Sequence, residues 1–158
     1  MKENRGFTLI ELVVVMGILI MLFSFASFNF VGVQRKTSIN SFADDLVSDI
    51  ASQQTKAMVG VGTSSGDNYG IYFQSDKYIL FKGTSYSAND PNNFTVSLDS
   101  GSSFSSVTFP GSSIIFSSIS GELNGFSQGQ NTVTIKDLQS LKTETITVNR
   151  YGVVTSEN

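Results

Sequence analysis

Glu11 is the single charged residue between Phe7 and Gln34. The 23 residues from Leu12 to Gln34 carry no charge. A helix of that length, rising about 1.5 Å per residue, can cross a hydrocarbon layer about 30 Å thick. A carboxylate in such a span costs about 2.5–3.5 kcal/mol at the bilayer centre and less near the interface. The sequence therefore predicts a membrane span, and we expect a partner that offsets the cost of Glu11.

Catalytic and metal-binding chemistry is restricted by two missing residue types. The chain has no cysteine and no histidine. Disulfide bonds, thiolate metal sites and a cysteine nucleophile are therefore excluded, and the commonest general base is missing. The acidic residues form no paired-carboxylate pattern of the kind that acid/base catalysis uses. We predict that the protein is not an enzyme.

Oxygen-bearing side chains are concentrated in one stretch beyond the middle of the chain. Asp90 and Asn92, together with Asp99, could bind calcium through their oxygen atoms. Their spacing matches no complete calcium-binding loop, and the sequence Asn-Asp-Pro-Asn is also an ordinary turn. We predict no cofactor, with calcium as the one metal that these three residues leave open.

A second helical pattern follows the apolar run. Apolar residues recur at steps of three and four and mark one face of a helix: Ile39, Phe42, Leu46, Ile50 and Ala57. The pattern predicts one long helix from about Phe7 to Met58, whose second half packs on a globular domain. Gly60 and Gly62 are the predicted end of this helix.

The remainder of the chain has the composition of strands and turns. Aromatic and β-branched residues at Tyr69–Phe73 and Tyr78–Phe81 predict a hairpin around the polar turn Gln74–Lys77. Further strands are predicted at Phe94–Leu98, Val107–Phe109, Ile114–Phe116, Thr132–Ile135, Glu144–Val148 and Tyr151–Thr155. The predicted fold class is α+β, with one long N-terminal helix packed on a C-terminal antiparallel β-sheet domain.

Two features qualify this pattern of strands. The stretch Thr84–Gly121 contains 13 serines and is predicted to be a long exposed loop with short strands. The strands at Thr132–Ile135 and Glu144–Val148 are predicted to form a second hairpin through Asp137–Thr143.

The residues before and at the start of the apolar run resemble a processing signal. The polar leader Met1–Arg5, then Gly6, then the run Phe7–Leu12, is similar to the class III signal of type IV pilins and pseudopilins. The resemblance implies that a prepilin peptidase cleaves after Gly6 and methylates the new amino terminus, Phe7. It also implies that Glu11 pairs with the terminal amine of Phe7 in a neighbouring subunit, which would lower the cost of both charges in lipid.

Part of the predicted β domain also resembles this family. The hairpin that begins at Tyr69–Phe73, the segment Ile114–Gly121 and the closing segment Ile146–Val153 are similar to minor pseudopilins of the general secretion pathway H and fimbrial-T type. A pilin-like fold is what the two resemblances imply together.

The resemblance implies an organisation in four parts, a leader at 1–6, a transmembrane and assembly half of the helix at 7–33, an amphipathic half at 34–59 and a β-rich domain at 60–158. It implies a structural minor pilin or pseudopilin of a type IV pilus or a type II secretion pseudopilus. Such a subunit crosses the inner membrane once, with its C-terminal domain outside the cytoplasm. The implied partners are prepilin peptidase, other pilin or pseudopilin subunits, the inner-membrane assembly platform and, before assembly, membrane lipid.

Two membrane-related alternatives remain open at the amino end. A plain membrane-anchored β domain would leave Glu11 at the membrane interface. A conventional secretory signal would instead be cleaved after Ala26. Neither alternative predicts that Gly6, Phe7 and Glu11 occur together.

A DNA-binding, competence-type minor pilin is a further alternative. The net charge is −3, and from Thr37 onward 6 basic residues face 11 acidic ones. Because phosphate binding depends on clustered Lys and Arg, this balance disfavours a nucleic-acid partner. DNA binding would require Lys136, Lys142 and Arg150 to form a local cluster.

Overall fold

The structure, a computed structural model, describes residues 8–60 and 67–157, and for residues 25–38 and 156–157 it describes the backbone alone. The chain divides into two compact units, Met1–Lys36 and Thr37–Asn158. Helix α1 spans Leu9–Val59, which confirms the predicted long helix. Phe7, its predicted first residue, lies outside the described residues.

The end of α1 is confirmed at Gly60. This residue adopts a left-handed backbone conformation with φ of 66°, and its N–H donates to the carbonyl of Lys56 at 3.1 Å. Glycine reaches this φ without the steric cost of a Cβ atom, so Gly60 terminates the helix with little strain. Gly62, the second predicted stop residue, lies outside the described residues.

In the second unit, one face of α1 is buried in the core. The steps of three and four place these buried side chains in one stripe: Ile39, Ala43, Leu46, Ile50 and Ala57. Phe42, which was predicted on this face, is half-buried and packs against the core. Gln53 also lies among the buried residues and is only 2% exposed, which the apolar pattern did not predict.

Eight strands follow α1: β1 Tyr69–Phe73, β2 Lys77–Lys82, β3 Phe94–Ser97, β4 Ser102–Val107, β5 Ser113–Phe116, β6 Thr132–Asp137, β7 Thr143–Val148 and β8 Val154–Glu157. They form two four-stranded sheets with the orders β3-β2-β1-β5 and β4-β6-β7-β8. Every neighbouring pair is antiparallel. The α+β fold class and both predicted hairpins, β1–β2 and β6–β7, are confirmed.

Aromatic side chains join the two sheets. The ring of Phe104 in β4 packs edge to face against Phe73 in β1, with centroids 5.3 Å apart. The N–H of Phe104 also donates to the carbonyl of Ser75, in the turn between β1 and β2, at 2.9 Å. Such aromatic pairs contribute beyond the area that they bury, so Phe104 is a principal link between the sheets.

The serine-rich stretch is more ordered than its composition predicted. The strand expected at Val107–Phe109 is wrong in its position, because β4 covers Ser102–Val107 instead. Ser102 and Phe104 are both buried, and β4 pairs with β6. Phe109 precedes a short 3-10 helix at Pro110–Ser112.

The last predicted strand is also misplaced. β8 begins at Val154, whereas the prediction began at Tyr151. The carboxamide oxygen of Asn149 accepts hydrogen bonds from the N–H groups of Tyr151 at 2.9 Å and Val153 at 3.1 Å. Gly152 adopts a φ of 78°, so the chain turns here before it can pair with β7.

Candidate functional site

Thr8 and Glu11 form a reciprocal hydrogen-bonded pair at the start of α1. The Glu11 Oε2 atom accepts hydrogen bonds from the Thr8 N–H at 3.0 Å and from the Thr8 hydroxyl at 2.7 Å. In return, the N–H of Glu11 donates to Thr8 Oγ1 at 3.3 Å. The first helical backbone bond runs from the Leu12 N–H to the Thr8 carbonyl at 3.2 Å. This arrangement is a capping box.

The capping box explains why the helix begins where it does. The first N–H groups of a helix have no partner within the helix, and the Thr8 hydroxyl satisfies one of them. A carboxylate in the first turn is also favoured by the helix dipole. The spacing Thr-x-x-Glu is the sequence signal from which this cap could have been predicted.

The Glu11 carboxylate retains one oxygen atom for another interaction. Of the two carboxylate oxygens of Glu11, only Oε2 accepts hydrogen bonds from the described residues. Both of these bonds come from Thr8. Oε1 has no donor within the described residues. A carboxylate can accept several hydrogen bonds at once. Glu11 can therefore cap the helix and still accept a hydrogen bond from another group.

Gly6 and Phe7 lie outside the described residues. The cleavage after Gly6, the methylation of Phe7 and the pairing of Phe7 with Glu11 therefore stay predictions.

The first part of α1 presents apolar side chains on all sides. From Leu9 to Phe23 the large apolar residues are exposed, from 43% at Leu19 to 81% at Leu9. A Cβ atom added at Gly17 would meet no atom within 4 Å. A helix that is apolar all round occurs in membranes or inside assemblies rather than in water.

The predicted membrane span is longer than the stretch whose side chains are described. Among the described residues, no helical segment combines the length and the apolar character that crossing a membrane requires. The single-pass topology stays a prediction.

The calcium candidates each have a local hydrogen-bonding role. Asp90 Oδ1 accepts hydrogen bonds from the backbone N–H of Asn92 at 2.8 Å and from its side-chain amide at 2.9 Å. Asp99 Oδ1 accepts from the Gly101 N–H at 3.1 Å. Within residues 8–60 and 67–157, no group of three or more His, Cys, Asp or Glu side chains is arranged to hold a metal ion. The structure thus places these three residues in turns.

The three basic residues of the DNA-binding alternative do not form one cluster. Lys136 in β6 is opposite Thr143, at the end of the hairpin that also carries Lys142. Arg150 follows the far end of β7, where its guanidinium lies 3.6 Å from the Glu122 carboxylate. A strand of six residues spans about 17 Å, so Arg150 is separated from the two lysines.

Comparison with known proteins finds a similarity at the amino end of the chain. No curated protein and no solved structure matches the chain significantly. Residues 1–27 match the family model of the prokaryotic N-terminal methylation motif, which includes Gly6, Phe7 and the capping pair. This protein therefore carries, at its amino end, the prokaryotic N-terminal methylation motif that is typical of type IV pilins and pseudopilins.

Proposed function

We propose that the protein is a structural minor pilin or pseudopilin subunit of a type IV pilus or a type II secretion pseudopilus. Prepilin peptidase cleaves it after Gly6 and methylates the new amino terminus on Phe7. The mature subunit then joins the filament when the carboxylate of Glu11 pairs with the terminal ammonium of Phe7 in a neighbouring subunit. Its role is structural and not catalytic.

The observation that carries this proposal is the position of a single carboxylate. The methylation motif covers residues 1–27, and within it Glu11 stands at the start of a helix whose apolar side chains are exposed on all sides. Apolar side chains such as Leu19 need lipid or neighbouring helices around them. A carboxylate in those surroundings is costly unless an opposite charge comes close.

The proposal includes an organisation and a location. Residues 1–6 are the leader, 7–33 the transmembrane and assembly half of the helix, 34–59 the amphipathic half and 60–158 the β-rich domain. Before assembly, the subunit crosses the inner membrane once with its β domain outside the cytoplasm, in contact with lipid. An inner-membrane assembly platform then transfers it to the filament, where helix–helix contacts replace helix–lipid contacts.

The capping box offers a competing explanation for Glu11, and two substitutions separate the explanations. Glu11→Gln removes the charge, but glutamine also serves as the third-position partner in a capping box. Thr8→Val removes the capping hydroxyl and keeps the carboxylate. Both variants are expressed in the native host, and the fraction of subunit in purified filaments is compared with the fraction in the membrane.

We expect Glu11→Gln to lose filament incorporation and Thr8→Val to keep most of it, because the neighbour's ammonium requires a charge rather than a cap. Cleavage after Gly6 is measured in both variants, so that a processing defect is not mistaken for an assembly defect. Normal incorporation of Glu11→Gln would mean that Glu11 acts only as a helix cap, and the proposed pairing would have to be abandoned.

A further inference from the structure

The chain contains a single Asn-Gly dipeptide, Asn124-Gly125. It lies in the connection between β5 and β6, where both residues are exposed and form a turn. Gly125 adopts a φ of 70°, and a Cβ atom added to it would meet no atom within 4 Å. The turn is therefore exposed to water, with open space beside Gly125.

The main chain on both sides of this turn is held by the folded domain. Leu123 is buried and forms an antiparallel bridge with Phe116. The N–H of Asn124 donates to the Ile115 carbonyl at 2.7 Å. After the turn, Phe126 is partly buried and packs against the core. The two residues of the turn thus lie between anchored neighbours.

The peptide group that joins Asn124 to Gly125 is itself unrestrained. Within the described part of the chain, neither the Asn124 carbonyl nor the Gly125 N–H takes part in a hydrogen bond. The side-chain amide of Asn124 likewise has no partner among residues 8–60 and 67–157. This peptide group can rotate without breaking a hydrogen bond, and the wide range of φ open to glycine absorbs the rotation.

Asn131 shows the opposite situation in the same connection. Its side-chain amide donates to the Val148 carbonyl at 2.8 Å. The N–H of the following residue, Thr132, donates to Thr108 Oγ1 at 2.8 Å. Both the side chain and the next backbone nitrogen are therefore engaged at Asn131, whereas both are free at Asn124.

We propose that Asn124 deamidates spontaneously in the folded chain through a succinimide. The backbone nitrogen of Gly125 loses its proton and forms a bond to Asn124 Cγ, because glycine has no side chain that would block the approach. The bond from Cγ to Nδ2 breaks, and Nδ2 takes up a proton and leaves as ammonia. Water then opens the ring. Hydrolysis at Cγ gives aspartate, and hydrolysis at the backbone carbonyl carbon gives isoaspartate.

The two products differ in their effect on the fold. Each adds one negative charge, which changes the formal net charge of the chain from −3 to −4. In isoaspartate the main chain also runs through the side-chain carbons, so it is one atom longer between Leu123 and Phe126. Because both of these residues contact the core, only the isoaspartate form should disturb their packing. The reaction does not depend on processing at Gly6 or on the role of Glu11.

The test follows the mass of the full-length chain in detergent micelles during incubation at neutral pH. Samples are digested at intervals, and tandem mass spectrometry locates any change. We expect a gain of about 1 Da at Asn124 and none at Asn131 over the same period. A parallel sample is unfolded in urea. The folded chain should react at a rate within about tenfold of the unfolded chain, because no hydrogen bond holds the reacting peptide group.

Two variants connect the mass gain to the proposed ring closure. Gly125→Ala places a Cβ atom beside the attacking nitrogen and should slow the reaction by about tenfold or more. Alanine is strained at a φ of 70°, so Asn124→Gln covers the case in which Gly125→Ala fails to fold. This variant keeps Gly125 but requires a six-membered ring, which forms more slowly. Asn89→Gln, at an exposed asparagine that no glycine follows, is the control and should leave the rate at Asn124 unchanged.

The effect on the fold is measured by urea unfolding of the aged chain. Its isoaspartate fraction should unfold at a lower urea concentration than the variant Asn124→Asp, which has the same charge without the longer main chain. Equal midpoints would overturn the predicted loosening of the turn.

Three results would overturn the proposed reaction. The first is a mass gain at Asn124 in the unfolded chain alone, which would mean that the fold protects this turn. The second is an unchanged rate in both folded variants. The third is a product that contains aspartate but no isoaspartate by electron-transfer fragmentation, which would indicate direct hydrolysis of the side-chain amide instead of a succinimide.

Discussion

The phenol of Tyr78 donates a hydrogen bond to the Asp49 carboxylate at 2.7 Å. Tyr78 lies in β2 and Asp49 in α1, so the bond joins the helix to the first sheet. Tyr78 as a whole is 1% exposed. Burial, the hydrogen bond to Asp49 and the nearby charges of Asp49 and Asp45 all raise the pKa of Tyr78 far above its ordinary value.

Replacing Tyr78 with phenylalanine tests the energetic value of this bond. Tyr78→Phe keeps the buried ring and removes the hydroxyl. Because hydrogen bonds to charged groups contribute about 1.5–3 kcal/mol and Asp49 is partly hydrated, we expect the free energy of unfolding to fall by about 1–2 kcal/mol. Urea unfolding of the full-length chain in detergent, followed by near-ultraviolet circular dichroism, measures it. Tyr151→Phe, at a 64% exposed position, is the control, and an equal effect of both substitutions would contradict the expectation.

The raised pKa of Tyr78 also predicts an alkaline limit to stability. The pKa of Tyr78 is higher in the folded chain than in the unfolded chain. Its contribution to the free energy of unfolding is therefore complete below the ordinary tyrosine pKa of about 10 and is lost as the pH rises above it. Lys82 acts in the same direction, because its hydrogen bond to Asp67 raises its pKa as well. The unfolding free energy should therefore fall between about pH 9 and pH 12, and less steeply in Tyr78→Phe. The same slope in both proteins would show that Tyr78 does not ionise on unfolding.

Gly70 in β1 is predicted to tolerate no side chain. A Cβ atom at this position would lie 2.6 Å from the carbonyl oxygen of Ile114 and 2.5 Å from the ring of Phe81. Gly70→Ala should therefore lower the free energy of unfolding by about 1–3 kcal/mol, as overpacked cores do. At Gly101 the nearest atom would be 3.5 Å away, and Gly101→Ala is the matched control. Equal urea midpoints for the two variants would mean that β5 moves aside at little cost.

The parts of the fold with strong periodicity were predictable from the sequence. The helix and the hairpin of β1 and β2 follow from apolar spacing and from clustered aromatic residues. β4 was misplaced because its serines have a loop-like composition, whereas the strand is defined by its pairing with β6. The start of β8 was misplaced because the carboxamide of Asn149 holds the backbone in a turn, which is a contact rather than a pattern.

At the candidate sites, too, some features follow from the sequence pattern and others depend on contacts in the folded chain. Glu11 was identifiable because it is a lone charge in an apolar run, and its spacing from Thr8 also contained the capping box. Gln53 interrupts the apolar face of α1, which was a visible signal. The end of the β2–β3 ladder at Leu80 and Phe94 could not be predicted, because it depends on where β3 begins in space. The separation of Arg150 from the lysines likewise follows from strand direction, which the residue types do not reveal.

The prepilin route is tested by the intact mass and amino-terminal sequence of the protein purified from its native membrane. We expect a chain that begins at Phe7 and carries one additional methyl group on its terminal amine. A chain that begins at Met1 would indicate a plain membrane anchor, and one that begins at Ser27 would indicate a conventional secretory signal. Either of those results would contradict the prepilin route and remove the basis for pairing Glu11 with a neighbouring amine.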